Sequence, residues 1–84
     1  MKLKYDLALW KEHSSGHTYG FPLGVKDSEG RDILPAIDFD RWTYRGTVPA
    51  STPVSDRRAD QGNRIVLRLS GVLDVYTADW AVGP

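Results

Sequence analysis

The chain has 84 residues, no cysteine, and eleven basic residues balanced by eleven acidic ones, so its formal net charge is zero. This length allows one domain, 1–84, whose folding removes only about 60–65% of the chain's surface from water, so its core is thin. Because the chain has no cysteine, neither disulfides nor thiolate metal ligands can reinforce that core. The charge balance argues against nucleic-acid binding, because nucleic-acid binders carry a basic excess or a basic stripe.

The N-terminal segment MKLKYDLALW has a short apolar run that Asp6 interrupts, so it does not fit a secretory signal peptide. No segment approaches the ~20 apolar residues of a membrane-spanning helix. We therefore expect a protein made in the cytoplasm that has no contact with a membrane.

Strict alternation of apolar and polar residues predicts a first strand over residues 2–10. A helix is the alternative, because three of its apolar residues follow a three-to-four spacing. Residues 11–17 are polar and include Ser-Ser-Gly, which predicts a loop.

Residues 18–32 (TYGFPLGVKDSEGRD) are the stretch around which the rest of the sheet is expected to pack. Tyr19, Phe21 and further apolar residues alternate with small or polar ones, which predicts a strand with its large side chains on one face. Pro22 cannot donate to a ladder, so it suggests an edge position or an outward-facing nitrogen. Residues 27–30 (DSEG) predict a tight turn that closes at Gly30.

Two further strands follow an irregular apolar crossing at residues 33–37. Residues 41–48 (RWTYRGTV) alternate with Trp42, Tyr44, Gly46 and Val48 on one face. Residues 49–63 have no periodic apolar signal and predict a long polar loop, which in a compact domain is often functional or mobile. Residues 64–70 alternate again. The tail predicts one or two short strands, or a helical turn near residues 77–80.

Together these elements predict an all-β fold, a small single-domain sandwich or partly open barrel of five to seven short strands. No residue constellation predicts catalysis. His13 and His17 have a helical ligand spacing in a segment that is not helical, and a zinc site needs a third ligand. The side chains of Asp38 and Asp40 would lie on the same side of the backbone if their segment is extended. Solvent exposure, or ion pairs with nearby arginines, explains both carboxylates without a binding site. We expect no enzyme, no metal and no cofactor.

Ser14, Ser15 and His17 could form a nucleophilic triad with an aspartate on paper only, because no strand–turn–helix nucleophile elbow surrounds them.

The one basic concentration lies in the predicted loop and the strand after it. Arg57, Arg58 and Asp60 in the loop are candidates for polar contact with another protein, and Trp80 is a candidate anchor or a residue that closes the core. Arginines beside exposed aromatic rings on a sheet can also stack single-stranded bases, which leaves a nucleic-acid module as an alternative.

The order of segments resembles that of small tailed-phage virion proteins, specifically the N-terminal domain of upper baseplate proteins. The similarity rests on an opening strand (KYDLALW), a strand that runs into D-x-x-G (YGFPLGVKDSEG), an apolar passage (RDILPAIDFDRW), a strand that ends in polar turns (TYRGTV) and a late alternating strand (NRIVLRLSG). Where that family commonly reads Asp-Leu-Thr-Gly, this chain has Asp32-Ile33-Leu34-Pro35 or Asp38-Phe39-Asp40.

The resemblance implies an immunoglobulin-like sandwich located in the virion, present in many copies, with other virion subunits as its partners and with no small-molecule substrate. The expected function is that of a non-enzymatic tail or baseplate component. The alternatives are a capsid cement protein, a small inhibitor or immunity protein that blocks a partner enzyme, and a single-stranded nucleic-acid binder.

Overall fold

The computed structural model describes all residues 1–84 as one small all-β domain, which confirms the predicted fold class. Six strands of five to seven residues are accompanied by two strands of only two residues and by one short 3₁₀ turn. In chain order the elements are β1 Lys2–Leu3, β2 Leu7–Glu12, β3 Thr18–Pro22, β4 Trp42–Val48, β5 Val54–Ala59, β6 Arg64–Leu69, β7 Leu73–Ala78, the 3₁₀ turn Asp79–Ala81 and β8 Val82–Gly83.

The main sheet has six strands in the order β4-β2-β3-β7-β6-β5. The first three and the last three strands each form an antiparallel group. Short loops connect β2 to β3, β5 to β6 and β6 to β7, whereas β4 pairs with the other side of β2 after the long passage of residues 23–41. The two groups meet where β3 and β7 pair in parallel, at Thr18 with Val75 and at Tyr19 with Tyr76. β1 and β8 form a separate two-stranded sheet, which a bridge from Lys2 to Pro53 links to the start of β5.

The core lies on one face of the main sheet. Its largest fully buried side chains are Leu7, Leu67 and Val75, one each from β2, β6 and β7, and all three are 0% exposed. Five more residues complete the apolar cluster, namely Leu3, Leu9, Ile65, Leu69 and Ala81. Only 12 of 84 residues are buried, so the core is as thin as the chain length predicts.

The predicted loop over residues 49–63 is wrong in its centre, because strand β5 occupies Val54–Ala59. β5 pairs with β6 on one side only, and five of its six residues are exposed. An edge strand of this kind needs little apolar sequence, so the segment VSDRRA carried no periodic apolar signal.

The expectation that the rest of the sheet packs against the face of Tyr19 and Phe21 is also wrong. Gly20, between them, is the buried residue and pairs with Leu9 of the core face, so both rings lie on the opposite, outer face of the sheet. Pro22 lies in a central strand, at its end and beyond the two positions that pair with β7, so its missing N–H costs no bond there.

β4 does not keep the four residues of its predicted apolar face together. The register with β2 shifts at a β-bulge, so Tyr44 pairs with Trp10 while Gly46 pairs with Leu9. Neighbouring residues of β2 point to opposite faces, and the bulge therefore divides β4 into an outer-facing first half and a core-facing second half.

The remaining boundaries differ from the predictions by small amounts. The first predicted strand, 2–10, is interrupted and becomes β1 and β2. The turn that closes at Gly30 is confirmed, with Gly30 at φ 79° and its N–H donated to the Asp27 carbonyl over 3.1 Å. The 3₁₀ turn Asp79–Ala81 overlaps the end of the helical turn that the sequence suggests as an alternative near residues 77–80. No helix in the structure has the length and apolar character needed to cross a membrane.

Candidate functional site

The outer face of the main sheet carries most of the aromatic side chains. Trp42 of β4 lies 5.3 Å from the Tyr19 ring and 5.8 Å from the Phe21 ring, measured between centroids. We name two surfaces on this face. The Trp10 patch consists of Trp10, Phe39 and Tyr44. The aromatic groove is formed by Tyr19, Phe21, Tyr76 and Trp80, with Arg64 beside them.

The Trp10 patch joins β2, β4 and the crossing that precedes β4. The Trp10 ring lies 5.1 Å from the Tyr44 ring and 5.9 Å from the Phe39 ring, measured between centroids. Phe39 is 76% exposed and Tyr44 is 52% exposed, so two of the three rings face solvent. Exposed aromatic rings packed around a half-buried tryptophan have the composition of a protein-binding hot spot.

The aromatic groove opens where β3 and β7 separate. Beyond the paired residues Tyr19 and Tyr76, the strands are held by one buried contact, in which the Thr77 hydroxyl donates to the Gly20 carbonyl over 2.8 Å. The separation leaves a groove of about 590 Å³ on the outer face. This volume lies within the range of ligand pockets in proteins, which is roughly 300–1,000 Å³.

Arg64 of β6 is the one charged side chain that lines the groove. Its guanidinium carbon lies 5.4 Å from the Tyr76 ring centre and 5.8 Å from the Tyr19 ring centre, which are cation–π distances. The same guanidinium donates to Asp60 Oδ2 from Nε, over 3.2 Å, and from Nη2, over 3.0 Å. The groove is therefore aromatic and carries no uncompensated charge.

A second, smaller cavity of about 190 Å³ extends the groove. Phe21, Pro22 and Trp80 line both cavities, and the second one is completed by Val25, Ile33, Leu34 and Pro35. Leu34 is 71% exposed and Ile33 is 50% exposed, which makes the extension an open apolar trough.

The structure places the four predicted interaction residues in different roles. Arg57 forms an ion pair with Asp79, and Arg58 lies 3.5 Å from an Asp56 oxygen and 3.6 Å from an Asp74 oxygen. Asp60 pairs with Arg64, as described above. All three are exposed residues engaged within the chain. Trp80 is 50% exposed, packs edge-on against Tyr5 with 5.6 Å between ring centres, and lines the groove.

The histidines have defined local partners. His13 bonds through Nδ1 to the Asp40 carbonyl, over 3.1 Å, and through Nε2 to the Thr43 hydroxyl, over 2.6 Å. His17 stacks on the Tyr76 ring with 4.6 Å between centres and an interplanar angle of 5°. No three His, Cys, Asp or Glu side chains are grouped so that they could hold a metal ion.

Asp38 accepts a hydrogen bond from the Asp40 N–H over 3.0 Å and lies 3.9 Å from the Arg41 guanidinium. Its carboxylate therefore stabilises the turn that leads into β4, as the pairing interpretation of the sequence predicts.

Both edges of the main sheet carry features that oppose strand addition. β5 presents the charged run Asp56, Arg57 and Arg58 at one edge. β4, at the other edge, is distorted by its bulge at the Tyr44 to Gly46 register shift. Charged side chains and bulges are the devices by which sheets avoid edge-to-edge pairing, so the outer face is the more accessible binding surface.

The sequence analysis did not identify the outer face as a site because it expected the rest of the sheet to pack against the face of Tyr19 and Phe21. The available signal was the glycine between Tyr19 and Phe21, since a strand that packs closely on the core leaves room for no side chain there. Comparison of the chain with protein-family models, with curated proteins and with solved structures finds no match.

Proposed function

We propose that this protein is a non-enzymatic structural or adaptor subunit that binds other protein subunits through the Trp10 patch, and that it serves in a bacteriophage virion as a tail or baseplate component. The virion setting comes from the order of segments in the sequence. The binding role is supported by one observation above the others: Phe39 and Tyr44 expose more than half of their surface beside the half-buried Trp10.

Two properties of the domain support association with neighbouring copies. A core of so few residues gives marginal stability, which a bound neighbour increases by mass action. The zero net charge keeps long-range repulsion between identical copies small. Because both sheet edges are protected, we propose packing of faces rather than pairing of strands.

The test is the molar mass of the purified protein by light scattering coupled to size exclusion, over a concentration series. We expect the mass to rise above that of the 84-residue monomer. Phe39→Ser and Tyr44→Ser should each weaken association about tenfold or more, as expected for a hot-spot ring. Val72→Ser is the matched control, because Val72 is 79% exposed in the turn between β6 and β7 and lies outside the patch.

A monomeric protein at every concentration would refute self-assembly and would favour the alternative of a monomeric inhibitor with one partner. Loss of association in Val72→Ser equal to that in Phe39→Ser would show that exposed apolar surface in general, and not the patch, drives it. The nucleic-acid alternative has less support, because Arg57, Arg58, Arg64 and Arg68 all pair with carboxylates of the chain, which compete with phosphates.

A further inference from the structure

The aromatic groove lies beside the Trp10 patch, since Trp10 and Tyr19 are paired residues of β2 and β3, but none of the three patch residues lines it. The groove is not used in the proposed self-association. We propose that the groove, with its extension, binds an extended, uncharged, proline-rich segment of another protein. Shape, charge and hydrogen-bonding chemistry each point to this occupant.

The shape favours an extended chain. The 590 Å³ groove and the 190 Å³ cavity share Phe21, Pro22 and Trp80, so they adjoin, and both are open to solvent. A polyproline II segment is already extended before it binds, so it loses less conformational entropy than a flexible chain on entering such a groove.

The charge favours an uncharged occupant. The Arg64 guanidinium is the one ionic group of the groove, and Asp60 already holds it with two hydrogen bonds. An anionic ligand such as a nucleic-acid strand would have to displace that carboxylate. The stacked position of Arg64 against the rings also fills the place that a ligand cation would take.

The chemistry of the walls favours proline. Tyr19 of β3 contacts Tyr76 of β7 with 5.4 Å between ring centres, Phe21 lines the groove beside them, and Trp80 lies where the two cavities adjoin. Aromatic-lined grooves are the surfaces on which proline-rich segments dock. A proline-rich backbone has carbonyl acceptors and few N–H donors, so it requires donors from its receptor. Gln61 and Asn63 line the same groove, and both residues carry side-chain amide donors.

The experiment is a titration of the isotope-labelled full chain with a decaproline peptide, followed by amide and indole N–H chemical shifts. We expect saturable shifts at the groove, including the Trp80 indole, and none with a Gly-Ser decapeptide. Replacing alternate prolines of the peptide by alanine should weaken binding severalfold, a test that leaves the protein unchanged. Trp80→Ala should weaken binding about tenfold, and Phe39→Ser should leave it unchanged.

Shifts with decaproline no larger than those with the Gly-Ser peptide would overturn the proposal. So would tighter binding of decathymidylate or cellopentaose at the same residues, which would assign the groove to nucleic acid or to saccharide. Because the Phe39→Ser variant separates the two surfaces, failure here leaves the self-association result standing, and the reverse also holds.

Discussion

Substitution of Gly20 by alanine tests the packing that holds the two halves of the sheet together. A Cβ atom at this position would lie 2.9 Å from Leu7 Cδ1 and 2.9 Å from Val75 Cγ1. Leu7 can change its rotamer, but Val75 is β-branched and stiff, and both residues are 0% exposed. Overpacking of this kind costs about 1–3 kcal/mol. The lower entropy of the unfolded alanine chain offsets about 0.4–1 kcal/mol of that cost.

The difference between these two ranges is about 0–2.6 kcal/mol, and because the Cβ would meet two fully buried side chains we expect Gly20→Ala to fall in the upper part. A loss of about 1–2.6 kcal/mol in the free energy of unfolding lowers Tm by roughly 4–20 °C in a domain of this size. Urea and thermal denaturation followed by circular dichroism measure both quantities. Gly83→Ala is the matched control, since its Cβ would also come within 2.9 Å of another atom, Lys4 Cε, but that exposed chain can move away. Equal stability of the two variants would refute the reasoning.

Three further predictions concern single interactions. Thr77→Val removes the buried hydroxyl donor between β7 and β3 and should cost about 1–3 kcal/mol in urea denaturation, because a carbonyl loses its partner. The Arg57–Asp79 pair is partly exposed, so a double-mutant cycle should give less than about 1 kcal/mol, falling with added salt. The pKa of Asp27 is lowered, chiefly by a hydrogen bond from the Arg31 backbone N–H. The stability that the Asp27 carboxylate contributes should therefore be lost as the pH falls below about 3.9, the ordinary pKa of an aspartate. Denaturation curves at a series of pH values should show this loss in the original protein and not in Asp27→Asn.

The sequence predicted those elements whose apolar residues alternate without interruption. β6 appears within one residue of its predicted span, 64–70, because Ile65, Leu67 and Leu69 all face the core. β5 was missed because a strand at a charged edge needs only backbone bonds to one neighbour, and these leave no apolar pattern in the sequence.

The face of β3 could not be decided from its own residues. Alternation shows that Tyr19 and Phe21 share a face, but which face meets the core depends on partners far away in the chain. Leu7 and Val75 approach so closely that only a glycine fits between them, and this turns the rings outward. The candidate site was missed for the same reason.

The parallel seam between β3 and β7 also has a consequence for how the chain folds. The strands on either side of the seam form from neighbours in sequence, through the β2–β3 and β5–β6–β7 hairpins, whereas the bond from Thr77 to Gly20 joins residues 57 positions apart. Closing so long a loop costs entropy, and the few contacts between β3 and β7 offset only part of that cost. We therefore expect the β3–β7 pairing to form late in folding. During synthesis one edge of β3 therefore has no strand partner until β7 has left the ribosome.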